Sequence, residues 1–265
     1  MAIRNYRDLT RLEMEQVDKE ETIVLIPLGA LEQHGNQAPL GTDDIIAEAM
    51  VKEIKKQLEA DGEEDFPMLI FPVIPVGLST EHKNFCGSIT FRPDTYYHVL
   101  YDICASLAHH GFKKLAFLVC HGGNSPIAQM LSRELRSEFH IAPFILSSGA
   151  FGHPDVQATV SEGNVWDFHG GEMETSMVMA VDESLVKLDT SVAGMPTAFM
   201  NNKALKIGGN VTIGWVSEDW KTKDGTPIGI GGDPSGATAE KGRIILETSA
   251  KVLVPGLKEI RKWKD

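Results

Sequence analysis

The chain has 265 residues, 42% of them hydrophobic and 23% charged, a balance that supports a packed core and excludes a disordered chain. Its net charge of −12 argues against a nucleic-acid or anionic-membrane surface, which needs clustered Lys and Arg, and leaves a small-molecule substrate as the expected partner. Cys86, Cys104 and Cys120 are three in number with no CxxC pair, so neither a disulfide framework nor a cysteine zinc site is expected. The opening stretch has no apolar signal region, and no apolar run approaches the roughly 20 residues that span a bilayer. A cytoplasmic location is therefore expected.

In chain order, Thr22 to Leu28 is an almost continuous apolar run, the pattern of a strand buried on both faces. From Asp43 to Ala60, Ile45, Ile46, Ala49, Met50, Ile54 and Leu58 recur at helical spacing. Met68 to Ile74 reads as a second strand, with Pro72 placing it near a sheet edge. A helix is expected from Asp94 to His110, stopped by Gly111. Lys114 to Val119 is a third strand. Ser125 is placed to cap the next helix, with Pro126 at its first position. Pro143 to Ser147 offers a fourth strand, and Glu172 to Val181 a short helix. The last helix, Ala237 to Trp263, is expected to kink or break at Pro255. Ala198 to Asp233 is rich in Gly and Asn without periodicity, and reads as irregular loops with a small hairpin. There is no internal repeat or low-complexity linker, so residues 1–265 are read as one domain. Alternating strands and helices imply a mostly parallel sheet with helices on both faces. Ligands should then sit beyond the carboxyl ends of the strands.

Four segments carry candidate chemistry. Leu28 to Asp44, LGALEQHGNQAPLGTDD, follows the first strand and holds Glu32, His34 and Asp43. Carboxylates and an imidazole make a donor set suited to zinc, manganese or iron, although Asp43 in this position could equally be a helix cap. CHGGNS places His121 just past the third strand, with Gly122 and Gly123 allowing close backbone approach. WDFHGGEMETS gathers Asp167, His169, Glu172 and Glu174. Acidic residues in a first helical turn also occur simply to complement the macrodipole. In GLSTEHKNFCGSIT, Glu81 and His82 are candidates for substrate polar groups, as is Gln37. No P-loop, GxGxxG or GxSxG elbow is present, so water activated by metal is the economical mechanism.

LGALEQHG with TDD, then HGGN, then DFHGGEMETS, in this order, resembles the creatininase (creatinine amidohydrolase) family. The GLSTEH…FCGSIT stretch is similar to that family's SxEHxxFPGT. The resemblance implies a three-layer α/β/α sandwich with a mostly parallel central sheet. It also implies two divalent metal ions, zinc first with manganese or iron as alternatives, clamping a hydroxide between them. On that pattern Glu32 and His121 hold one ion and His34 the other, Asp43 bridges, and Glu172 completes the second. His169 matches the catalytic histidine, with Asp167 holding its tautomer and Glu174 in support. A ring-like homohexamer is the implied assembly. One departure is informative: creatinine-hydrolysing members carry a glutamate ligand where this chain has Gly123. The expected reaction is hydrolysis of a C–N bond in a small cyclic or formylated amide. The alternatives are ring opening of a cyclic polyol ketone at a C–C bond and the trimming of a precursor peptide.

Overall fold

Two buried strands decide the architecture, because their side chains alternate between two separate cores. Along β2 (Ile23–Leu28), Ile23 and Leu25 enter one apolar cluster, while Val24, Ile26 and Leu28 enter the other. β4 (Lys114–Val119) does the same: Ala116 and Leu118 face one way, Leu115, Phe117 and Val119 the other. A period of two with both faces apolar is what a strand covered on both sides requires.

The computed structural model describes residues 3–207 and 210–264. Its main sheet adds β1 (Arg4–Asn5), β3 (Met68–Ile70) and β5 (Ala142–Ser147) in the order β1-β3-β2-β4-β5. Every pairing is parallel. The helices in chain order are α1 (Arg11–Glu15), α2 (Thr42–Ala60), α3 (Pro93–His109), α4 (Ser125–Phe139), α5 (Pro154–Gln157), α6 (Glu172–Val181) and α7 (Ala239–Lys262). α2, α6 and α7 cover one face through residues such as Ile46, Met50, Met177, Ile245 and Val254. α3 and α4 cover the other through Leu100, Cys104, Ile127 and Leu131. This is the three-layer α/β/α sandwich with a parallel sheet. Each fully buried aliphatic side chain in these layers contributes about 1.5–3 kcal/mol. Among the described residues, no helix is long and apolar enough to cross a membrane.

Three local expectations are corrected. β3 ends at Ile70, and contact with β2 resumes only at the isolated bridge Leu28↔Ile74; Pro72 lies in the gap, where it has no N–H to give the ladder. Asn124, not Ser125, is the N-cap of α4, so Ser125 and Pro126 occupy its first turn. α7 runs unbroken through Pro255. Pro255 and Lys251, whose carbonyl the missing N–H would have served, are both exposed, on a side of the helix where solvent can serve a freed carbonyl.

The 198–233 stretch is irregular, as expected. The antiparallel bridges Met195↔Lys221 and Lys221↔Pro227 give it a hairpin-like turn. A short parallel pair, Leu205–Lys206 with Val211–Thr212, lies apart from the main sheet.

Candidate metal centre

The loops that leave the carboxyl ends of β2, β3 and β4 converge at one rim of the sheet. Asn124 ties all three together: its side-chain oxygen accepts from Leu78 N at 3.0 Å, and its amide nitrogen donates to Gly29 O at 2.9 Å. Onto this rim the structure brings Glu32, His34 and Asp43 from the β2 side and His121 from the end of β4. His82 comes from the loop after β3, and His169 and Glu174 from around the start of α6. All are buried except Glu174, whose side chain is 18% exposed. Three overlapping groups form, each with ligand atoms within 4.8 Å of one another: Glu32–Asp43–His121, Glu32–His82–His169 and His34–His169–Glu174.

The hydrogen bonds fix which nitrogen of each ring faces inward. A backbone carbonyl can only accept, so the ring nitrogen bonded to it carries the hydrogen. His34 Nδ1 donates to Glu32 O at 3.1 Å, His121 Nε2 to Leu78 O at 2.6 Å, and His169 Nε2 to Gln33 O at 2.8 Å. The opposite nitrogens therefore carry lone pairs. His34 Nε2 lies 3.7 Å from both Asp43 Oδ2 and Glu174 Oε2. His121 Nδ1 lies 3.8 Å from the same Asp43 oxygen, and His169 Nδ1 lies 3.6 Å from Glu32 Oε1. Holding an imidazole by its N–H so that its lone pair faces a cation is how proteins orient metal-binding histidines.

Burial governs the charges here. It pushes the carboxyls of Glu32 and Asp43 well above their usual range, and the charge of Glu32 raises Asp43 further. It lowers His34 to about 3, His121 to about 4 and His169 to about 3. Both oxygens of Glu32, His34 Nε2 and Asp43 Oδ2 are buried without a hydrogen-bond partner. Such orphaned atoms are costly, and a pair of divalent cations would satisfy them. The donors are carboxylate and imidazole, the set that zinc and manganese take. The residues present therefore fit the two ions.

Asp43 is not a cap: α2 starts at Thr42 after Gly41, and the Asp43 side chain turns inward. One oxygen of Asp43 faces both His34 and His121, so this carboxylate would be placed to serve both ions.

Glu172 is not brought to the cluster. Its carboxylate accepts from Ser161 N at 3.0 Å, Ser161 Oγ at 2.8 Å and Asn164 Nδ2 at 3.0 Å, and it pairs with Lys241 on α7. Burial raises its pKa, but the Lys241, Asn164 and Ser161 bonds outweigh that and leave it lowered. The carboxylate at the centre from this segment is Glu174, whose Oε2 also accepts from Gly170 N at 2.6 Å. Asp167 does not touch His169. It accepts from Met173 N at 3.0 Å at the start of α6, and burial raises it to about 7. The carbonyl of Gln33 holds His169 instead.

Gln37 is buried and is not among the residues lining the cavity that opens onto the centre. Its amide clamps His34 O, Gly170 O and Thr175 Oγ1 at 2.9, 2.8 and 3.2 Å. Glu81 and His82 do line the cavity that opens onto the centre. His82 is buried, however, and stacks on His169 at 4.1 Å between ring centroids.

Sequence reasoning missed Gln33. Its side-chain nitrogen donates to Gly229 O at 2.6 Å and lies 3.1 Å from His82 Nδ1. Its position between two ligand-type residues was the available signal. Trp215 and Ser217 were also missed, since the aperiodic segment that carries them gave no signal.

The cavity has a volume of about 570 Å³. His121, His169 and Glu174 line it together with Ser125, Ser147 and Ser148, and Phe151, Phe168 and Trp215 add aromatic surface. Gly123 lies on its edge, and a Cβ there would collide with Leu78 O and His121 Nε2. A ligand side chain from position 123 is thus excluded in this backbone.

A family model described as "Creatininase: Creatinine amidohydrolase" matches residues 7–255. The chain is 30% identical to the mycofactocin precursor peptide peptidase of Mycobacterium ulcerans, over 91% of this chain and 85% of that protein. It is 29% identical to the creatinine amidohydrolase of Pseudomonas putida, over 72% of this chain and 77% of that protein. Among solved structures, a mutant creatininase of Zn-Zn type superposes with a TM-score of 0.75 at 25% identity, over 98% of both chains. With a model match across nearly its whole length, the chain belongs to the creatininase family, as a metal-dependent hydrolase.

Proposed function

We propose that the protein hydrolyses the C–N bond of an amide lying in the 570 Å³ cavity, over two zinc ions held at the rim of the sheet. Glu32, Asp43 and His121 would hold one ion; His34, Glu174 and the shared oxygen of Asp43 would hold the other. When bound, such a pair brings the ionisation of water near neutral pH and polarises a carbonyl. The observation that carries this reading is the set of buried, unpartnered atoms Glu32 Oε2, His34 Nε2 and Asp43 Oδ2 gathered at the cluster.

The remaining work falls to residues of this chain. His169, which lines the cavity, keeps a lone pair on Nδ1, because the Gln33 carbonyl holds its other nitrogen. Burial keeps that ring neutral at working pH. Nδ1 can then take a proton from the attacking water and return it to the departing nitrogen, as a general base and then acid. Phe151, Phe168 and Trp215 offer apolar contact to the substrate, and Glu81 offers an acceptor.

The cavity, about 570 Å³ and open to solvent, has room for an extended chain as well as for a small ring. Relatives of 28–30% identity that are named precursor peptide peptidases favour a peptide-like amide. We take the protein to act in the cytoplasm as a homo-oligomer, a hexamer on the family pattern. Exposed apolar residues such as Val192, Met200, Val211 and Ile213 are available for subunit contact.

The test is a screen of the zinc-loaded protein against short peptides, lactams, formamides and cyclic polyol ketones. Turnover of peptides above the other classes is expected. Turnover confined to the ketones would overturn amide hydrolysis, and turnover confined to lactams would overturn the peptide assignment.

A further inference from the structure

Four histidines surround the centre, and three of them present a lone pair to it. The fourth, His82, is held differently. Gln33 donates one amide hydrogen to Gly229 O at 2.6 Å, and its Oε1 accepts from Gly35 N at 2.9 Å, which fixes the orientation of the amide group. Its second amide hydrogen has two ring nitrogens in reach: His82 Nδ1 at 3.1 Å and His169 Nε2 at 3.3 Å. His169 Nε2 carries its own hydrogen, given to Gln33 O, so it cannot accept. The acceptor is therefore His82 Nδ1. Ser217 Oγ, fully buried and 2.5 Å from the same nitrogen, adds a hydroxyl donor. With Nδ1 accepting, the ring hydrogen of neutral His82 sits on Nε2, which lies 3.3 Å from Glu32 Oε1. Neither of these two atoms is hydrogen-bonded elsewhere.

We infer that His82 is a positioning residue: it turns an N–H toward Glu32 Oε1 and is not a metal ligand, although it sits among the ligands. The two atoms are within reach but not aligned as a hydrogen bond in this structure; closing the bond would hold the carboxylate with Oε2 on the His121 side, where it lies 3.2 Å from Nε2. The chain Ser217–His82–Glu32 thereby makes the centre depend on residues 215–218, far away in sequence. Two further contacts pin that stretch to the same loop: Trp215 packs its edge on His82 at 5.6 Å between centroids, and Asn84 Nδ2 donates to Glu218 Oε1 at 2.6 Å. Partners that orient ligating carboxylates typically matter 10–100-fold in metal affinity. The role in metal binding rests on the proposed zinc centre; the tautomer does not.

The experiment is nitrogen-15 NMR of histidine-labelled protein, first metal-free and then titrated with Zn(II), beside zinc affinities of His82→Gln and His82→Ala. In the metal-free protein His82 is expected to be protonated on Nε2, and to remain so when zinc shifts the His34 and His121 resonances. His82→Ala is expected to weaken zinc at one site by about tenfold or more. His82→Gln, which retains an N–H donor, is expected to stay near wild type. Protonation on Nδ1, loss of the Nε2 proton on zinc addition, or equal losses in the two variants would each overturn the inference. If wild-type protein takes up no zinc, the metal-centre reading fails, and the metal-free spectrum still decides the tautomer.

Discussion

Replacing Glu172 by Gln separates two roles that a glutamate at the start of α6 can play. The carboxylate is 1% exposed and receives bonds from Ser161, Asn164 and Lys241. A glutamine keeps the shape but aims an NH2 group at donors, so one or two charge-assisted bonds are lost, at about 1.5–3 kcal/mol each. The Lys241 side chain is 25% exposed and can recover water, which trims the loss. A net cost of about 2–4 kcal/mol corresponds to a fall in Tm of roughly 5–15 °C for a chain of this size. Zinc content should remain at two ions per chain. Glu174→Gln should do the reverse: metal-free Tm changes little, because an amide oxygen can still accept from Gly170 N, and one ion is lost. Differential scanning calorimetry with elemental analysis of the zinc-loaded proteins reads both quantities. A Glu172→Gln protein that keeps its Tm and drops an ion would refute this assignment and return Glu172 to the ligand set.

Asp43→Ala should release both ions, since a single oxygen faces His34 and His121; elemental analysis showing both retained would contradict a bridging role. His169→Ala should keep both ions and lose about 10²–10⁴-fold in turnover, whereas a matching loss of metal would make it a ligand. Burial holds His34 at about 3 in the folded protein, below its ordinary 6.5. The unfolded chain then binds the extra proton between those values, so stability rises with pH in that window and is lost as pH falls below 6.5. Metal-free His34→Asn should therefore lose less stability than metal-free wild type between pH 6.5 and pH 5, by roughly 1–2 kcal/mol; urea unfolding at the two pH values checks this, and parallel losses would contradict it.

Where a boundary is set by a single local cause, the sequence sufficed. Lys114–Val119 is apolar up to the histidine that ends it, and Glu172–Val181 opens after two glycines. The centre was legible in Glu32, His34, Asp43 and His121, because strand ends in parallel sheets converge. The choice between Glu172 and Glu174 was not. Two residues apart on a helix, their side chains point roughly 200° apart, and only packing tells which faces the rim. Lys241, some seventy positions away and on another helix, decides it. Gln33 looks like filler between two ligand types until the fold brings His82, His169 and Gly229 around it. The break that Pro255 allowed does not occur for a related reason: whether proline ends a helix depends on who serves the carbonyl it abandons, and the sequence does not show which face is wet.

The three strand-end loops that carry the clustered carboxylates and imidazoles are knotted together by Asn124, while most of the aromatic lining is borrowed: Phe168 precedes His169, and Trp215 comes from the aperiodic segment. Chemistry and recognition are thus mounted on different parts of the chain. A lineage can redraw the lining, and with it what is admitted, by editing loops that the sheet does not need for its own stability. That freedom is restrained where Ser217, Trp215 and Glu218 hold the borrowed segment to the His82 loop beside the centre.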